Sequence, residues 1–312
     1  MSKKSTYILG ILLTIIIGTV LYYFLCCSVC CGKKSCKNKA AKTSVVAAPK
    51  VTSASNNAFS VTDKSNGMHI YAEQDNFNFK TSSFNILKPI SGQVSASVLK
   101  LKDYLLANPS KTVDITGYYK SKEVNNSAFP NLGLARSNSV KNYLVSRGIP
   151  SKQIDTTGKL NDTIEADATN TLFGPLTFNV LNIDANDTSA IDALKTACDA
   201  IKREPLIFHF KTGQASINLT AKQRQKIADI SHCIDKLGVK VVLVGHTDSA
   251  GDAGRNLVLG QQRADFAKNY LIKNGILESN IISTSKGEQE PVADNNTPEG
   301  KAENRRTEVT IK

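Results

Sequence analysis

Histidine is scarce in this sequence, and acidic residues are absent from its first 58 positions. The four histidines, His69, His209, His232 and His246, show no metal-ligand spacing. That excludes a histidine-built metal centre, and no complete catalytic constellation appears elsewhere in the chain. Asp248 and Asp252 are two acids on one loop, but they lack the further groups an enzyme site requires. Aromatic residues make up only 6% of the chain, and no basic folded stretch is interleaved with them. A nucleic-acid footprint needs such a face or a reading helix, so nucleic acid is excluded as a partner. No cofactor is implied.

The net charge of +12 is unevenly placed. Residues 1–58 carry eight lysines and no acid, residues 59–182 come to +3, and residues 183–312 to +1. The folded parts are therefore nearly neutral. Tyr7 to Cys31 contains no charged residue at all. Such a run is long enough to span a bilayer and too long for the core of a cleaved signal peptide. It predicts a transmembrane anchor over residues 1–31. Without Asp or Glu, that anchor offers no carboxylate to carry protons. Cys27 and Cys30 are spaced C-x-x-C within the cluster Cys26, Cys27, Cys30, Cys31 and Cys36. No histidine or second such pair lies nearby, so no metal is expected there. Residues 32–58, rich in Ala, Ser, Thr, Asn and Lys, read as a flexible linker reaching ~90 Å when extended, at ~3.4 Å per residue.

Beyond the linker the chain repeats itself. Phe77-Asn78-Phe79-Lys80-Thr81 matches Phe208-His209-Phe210-Lys211-Thr212, and Val113–Gly117 matches Val241–Gly245. Leu132-Gly133 and Arg136 match Leu259-Gly260 and Arg263. Asn142-Tyr143-Leu144 and Gly148-Ile149 match Asn269-Tyr270-Leu271 and Gly275-Ile276. A period of about 130 residues is far above solenoid periods, so it means two tandem α/β copies, at 59–182 and 183–312. Each is expected to be an α/β sandwich with a mixed sheet of about four strands and helices packed on one face. Phe59–Asp63 and Met68–Glu73, around Asn66-Gly67, predict a hairpin before the first copy. Apolar spacing predicts helices over Asn186–Arg203 and Ala221–Lys236.

The most informative stretch is Gly245–Ala264. A buried strand, Val241–Val244, runs into His246, Thr247 and Asp248, and a loop marked by Gly251 and Gly254 leads to a helix carrying Arg263. A carboxylate and a guanidinium facing one pocket suit a zwitterion. On spacing alone, a strand-to-helix loop with a surface ion pair is the favoured reading. The wider pattern adds the strand Ile207–Phe210, Asn256, Leu259, Ala264, Tyr270-Leu271, Gly275-Ile276, Asn295, Gly300 and the closing Asn304-Arg305-Arg306. Together these residues resemble the OmpA-like (outer-membrane protein A C-terminal) peptidoglycan-binding domain over Leu206–Lys312.

The resemblance implies that Asp248 and Arg263 grip diaminopimelate of the stem peptide, with Thr247, Asn256 and Arg305 as further ligand-binding candidates. It also implies a Cys198–Cys233 disulfide, which an oxidising periplasm would preserve. Gly260 departs from the family's serine before the arginine, a position read here as a helix N-cap that glycine tolerates. In the first copy, Gly117-Tyr118-Tyr119-Lys120 replaces the Gly-His-Thr-Asp turn, so a cation stands where the carboxylate should be. Arg136 remains, as half a site or a surface arginine.

The expected function is non-enzymatic: the second copy holds peptidoglycan and the chain tethers a membrane or an envelope complex to the wall. The expected location is the bacterial cell envelope, with periplasmic domains and an inner-membrane anchor favoured over an outer-membrane one. The lysines after the span argue the opposite orientation by the positive-inside rule, and the domain resemblance is taken as the stronger indication. Two alternatives stand beside the tether. One is a subunit of an envelope machine whose residues 59–182 dock a protein partner, and the other is a wall hydrolase.

Overall fold

The computed structural model describes residues 57–72, 75–183, 188–210 and 218–312. The expected anchor, nearly all of the expected linker and the Cys26–Cys36 cluster lie outside these residues. Among the described residues no helix is long and apolar enough to cross a membrane.

The first copy is built on a five-stranded mixed sheet. Its strands are β1 (Phe59–Asp63), β2 (Met68–Ala72), β4 (Lys111–Tyr119), β5 (Ile154–Leu160) and β7 (Leu176–Asn182), in the order β2-β1-β7-β4-β5. Two helices, α1 (Gly92–Ala107) and α2 (Leu132–Ser146), join these strands. Ser91 and Asn131 cap them, each accepting a backbone N–H from three residues on. The core gathers Val94, Val98 and Leu101 of α1, Val140 and Leu144 of α2, and Phe59, Val113, Ile115 and Phe178 of the sheet.

The hairpin forms as its alternating residues require, with Phe59 opposite Ala72 and Asp63 opposite Met68. Asp63 is buried at its end. Its carboxylate pairs with Lys111 and accepts the Tyr104 hydroxyl and the Ser65 backbone N–H. The Lys111 hydrogen bond, with those from Ser65 and Tyr104, holds the carboxyl far below the usual range despite burial.

The second copy has a four-stranded mixed sheet, β8 (Leu206–His209), β9 (Val241–His246), β10 (Ile281–Gly287) and β11 (Arg306–Ile311), in the order β10-β9-β11-β8. Helices α3 (Ser189–Arg203), α4 (Ala221–Leu237), α5 (Ala253–Lys273) and the short α6 (Pro298–Asn304) connect or precede them. Thr220 and Gln223 form a reciprocal capping box on α4. Cys198 on α3 and Cys233 on α4 are joined by a disulfide, with Cα atoms 6.0 Å apart. Closing that 35-residue separation adds ~3–4 kcal/mol in the chain-entropy description. Reduction is expected to lower the denaturation midpoint accordingly, and an unchanged midpoint would deny the bond this role.

The central strands correspond between copies: β4 with β9, β5 with β10, and β7 with β11. The edges differ. In the second copy β8 lies antiparallel to β11, whereas in the first the place beside β7 belongs to β1, which runs parallel to it. The Phe77–Thr81 segment, whose sequence matches the β8 region, forms only the short β3 (Phe79–Lys80), paired with β6 (Thr171–Leu172) in a separate two-stranded sheet. The hairpin has taken the sheet edge, so this segment is left to line the core with Phe77 and Phe79.

One close approach recurs in both copies. A methyl added to Gly245 of β9 would sit 1.8 Å from the Gly260 carbonyl oxygen of α5. A methyl on Gly117 of β4 would sit 2.1 Å from the Gly133 carbonyl oxygen of α2. Gly260 therefore does not replace an N-cap. The α5 cap is Asp252, whose carboxylate accepts the Arg255 N–H, and Gly260 lies inside the helix where it crosses β9. Gly245→Ala is expected to destabilise the fold by about 3 kcal/mol, as forced overpacking does. Gly92→Ala, which meets nothing within 4 Å, should leave stability unchanged or slightly higher in the same thermal unfolding experiment.

Candidate ligand site at the end of β9

The glycine contact sets the distance between strand and helix, and Arg263 bridges the two. Its Nη1 donates to the backbone oxygen of His246 at 2.9 Å, directly at the end of β9. Burial depresses the Arg263 pKa, the Asp248 charge opposes that, and Arg305 adds to it. Asp248, Arg263 and Arg305 thus form one electrostatic group built from a turn, a helix and the residue between α6 and β11.

Asp248 has a closer partner than the sequence indicated. Its Oδ2 accepts from Arg305 Nη1 at 2.8 Å, and its Oδ1 accepts the Ala250 N–H at 3.2 Å. Both side chains of the pair are mostly buried, at 15% and 18% exposure. A carboxylate has about four lone-pair directions, so Asp248 keeps acceptor capacity beyond these two bonds.

The remaining candidates shape the turn. Asn256 donates its amide to the backbone oxygens of Asp248 and Ala250 and to the Glu288 carboxylate, which clamps the loop to α5. Thr247 is 2% exposed and its N–H donates to the Gly287 oxygen. Among the described residues its hydroxyl has no hydrogen-bond partner, nor does Arg305 Nε. Unpaired buried polar atoms are costly, and these two lie on segments joined by the Asp248–Arg305 pair.

The closing Asn304-Arg305-Arg306 motif divides into three tasks. Asn304 is fully buried; its side-chain oxygen accepts from the Val292 and Ala293 N–H groups, and its amide donates to the Ala293 oxygen and to Asn295. Arg305 reaches Asp248. Arg306 donates to Glu308 and to the Glu290 backbone oxygen. Asn295 in turn accepts the Ser249 N–H, so α6 and its preceding loop hold the turn from outside. The roles of Glu288 and Asn304 do not follow from any local spacing, because their contacts cross the fold.

The first copy repeats the bridge and closes it. Arg136 Nη1 donates to the Tyr118 oxygen at 2.8 Å, the counterpart of the Arg263–His246 bond. Arg136 is not a surface arginine: its side chain is 0% exposed and paired with Glu123, at 2%. Burial raises the Glu123 pKa, but its hydrogen bonds to and charge interaction with Arg136, with two backbone N–H groups, bring it below the usual value.

His246 is 1% exposed, and neither ring nitrogen has a hydrogen bond among the described residues. Burial and then the Arg306 charge depress its pKa, with Glu308 and Glu290 opposing. His232 is also depressed, by burial first. The unfolded chain therefore binds these protons near 6.5 and the folded chain only at lower pH. Their contribution is fully present above 6.5 and is lost as pH falls below it. The slope of stability against pH in that window should shrink in His246→Gln, while His232 keeps part of it. An unchanged slope in denaturant titrations would remove His246 from this account.

Comparison with known proteins adds a second line. The OmpA family matches residues 78–171 and 209–305, which is more than half of the chain. The "Peptidoglycan-binding protein ArfA" of Mycobacterium tuberculosis is 33% identical over 119 residues, covering 38% of this chain and 35% of that protein. The "Peptidoglycan-associated lipoprotein" of Pseudomonas putida is 39% identical over 72 residues, covering 23% of this chain and 43% of that protein. The chain thus spans less than half the length of these relatives. Among solved structures, the peptidoglycan-associated lipoprotein from Burkholderia pseudomallei covers 34% of this chain and 89% of its own, at 24% identity and a TM-score of 0.29. With the family matched over both copies, this chain belongs to the OmpA family.

Proposed function

We propose that the second copy binds peptidoglycan non-covalently through a diaminopimelate centre of the stem peptide. The observation that carries this reading is the gathering of Asp248 and Arg263 at one strand end, together with the peptidoglycan-binding names of the relatives. Asp248 accepts the ammonium on its remaining lone pairs, and Arg263 forks onto the adjacent carboxylate. Arg305 fixes the Asp248 carboxylate in place, and Thr247, whose hydroxyl is buried, ties the turn to β10 through its N–H to the Gly287 oxygen. Asn256 acts as a positioning residue through the loop backbone.

In this reading residues 1–31 anchor the chain in a membrane of the cell envelope, the inner membrane favoured, and residues 32–58 tether the periplasmic part. The chain then links membrane to wall without catalysis. The alternative reading is a larger envelope assembly in which residues 59–182 dock a protein partner; the closed Arg136–Glu123 pair argues only against a second ligand clamp there.

The test is co-sedimentation of the full chain with purified sacculi. Asp248→Ala and Arg263→Ala should each lose binding, because removing one partner of a desolvated charge contact costs ~2–5 kcal/mol. Arg263→Lys should weaken it, since an ammonium cannot make the planar two-bond contact. Lys120→Ala should bind like the wild type. Sacculi cross-linked through lysine instead of diaminopimelate should bind less. Wild-type co-sedimentation by both alanine variants, with folding intact, would remove this site from the function. Release of soluble muropeptides would instead favour a hydrolase.

A further inference from the structure

We infer that the first copy holds a latent carboxylate-binding site whose ligand position is occupied by its own Glu123. The inference does not depend on wall binding by the second copy.

The argument starts from the equivalence of the two arginines. Each lies three residues after the glycine that lets its helix meet the central strand, and each donates Nη1 to the backbone oxygen just past that strand's glycine, at 2.8 Å for Arg136 and 2.9 Å for Arg263. In the first copy the outer edge of the guanidinium is taken by one carboxylate. Glu123 Oε2 accepts from Arg136 Nη1 at 3.1 Å and from the Lys120 backbone N–H at 2.8 Å. Glu123 Oε1 accepts from Arg136 Nη2 and from the Ser82 backbone N–H at 2.8 Å. Each oxygen thus receives one guanidinium bond and one backbone bond.

Four donors converging on one carboxylate make a built receptor, not a chance ion pair. The arginine is fixed independently of that carboxylate. Nε donates to the Ser83 oxygen at 2.9 Å, and the guanidinium carbon lies 5.7 Å from the centre of the Phe79 ring. Two of the four donors are backbone N–H groups, which any carboxylate can use.

Glu123 arrives on a connecting loop, outside any strand or helix. Ser121 is tied to Asp162, Val124 donates its N–H to Ser82, and Ala128 donates its N–H to Asn274 of the second copy at 2.7 Å. The loop therefore delivers its carboxylate at intramolecular effective concentration, which a free ligand must exceed. The native first copy accordingly binds no external carboxylate. Without the Glu123 side chain, the same donors take a small monocarboxylate such as acetate or formate.

The test is chemical rescue in the full chain. Glu123→Ala should unfold at a lower temperature than wild type in sodium chloride. Sodium acetate at equal ionic strength should raise that temperature in a saturable way, while wild type shows no shift beyond the chloride control. Methylammonium chloride should do nothing. The double variant Glu123→Ala, Arg136→Gln should lose the acetate response. Should Glu123→Ala fail to fold in chloride, refolding in acetate but not in chloride is the expected result. An acetate shift no larger than that of chloride, an equal shift in wild type, or failure to refold in both salts would overturn the inference.

Discussion

The closeness of one helix to one strand is the constraint on which both copies depend. Gly245 and Gly260 meet backbone to backbone, and Gly117 and Gly133 do the same. No side chain fits between them. This contact brings the following turn of helix near the carbonyl just past the strand's glycine, where an arginine three residues on can reach it. Packing comes first and charge follows. The arginine is positioned by backbone close packing and a backbone acceptor, so its remaining donors are oriented before any partner arrives.

On that shared frame the two copies solve the problem of a buried guanidinium differently. Removing such a charge from water is costly unless its donors are satisfied. The first copy satisfies Arg136 internally with Glu123 and three backbone oxygens. The second places the opposing carboxylate, Asp248, on the turn and pairs it with a different arginine, Arg305. Arg263 keeps the backbone bond to His246, and Asp248 moderates the cost of its burial. Exchange of Asp for Lys at one turn position thus goes with a redistribution of the charged partners, while the backbone bond of the arginine is kept. The first copy is closed, whereas the second retains charge of both signs at one strand end.

Much of this was readable from the residues. Alternation in β1 and β2, the apolar strands around Val113 and Val241, and the tandem repeat itself follow from local pattern. The resemblance over the whole turn points to Asp248 with Arg263, whereas the direct partner of Asp248 in the fold is Arg305. What escaped was non-local. Glu123 lies thirteen residues before Arg136 in a loop with no motif of its own, and only the folded chain shows it inside the guanidinium fork. Gly260 mimics a cap in the sequence because Gly251 and Gly254 mark a loop before it, whereas α5 begins at Ala253. The parallel pairing of β1 with β7 was hidden because a hairpin signal specifies its own two strands and says nothing of the third.

The contact between the copies explains why a closed first copy is still built to the same plan. Lys141 of α2 reaches Asp235 of α4, and both side chains are largely buried. Burial depresses the Lys141 pKa, against the pull of Asp235, so the pair is tolerated only while both members stay in place. Ser151 donates to the Asp235 backbone oxygen, Asn142 donates to the Gly275 oxygen, and Lys236 reaches back to Asp155. These bonds involve α2, β5 and the short turn before it on one side, and the C-terminal ends of α4 and α5 on the other. Helix α5 carries Arg263, so its far end is braced by the first copy while its near end meets β9. A degenerate copy that kept only an apolar core would not supply this brace. It needs α2 at the correct height over β4, and the Gly117–Gly133 contact sets that height.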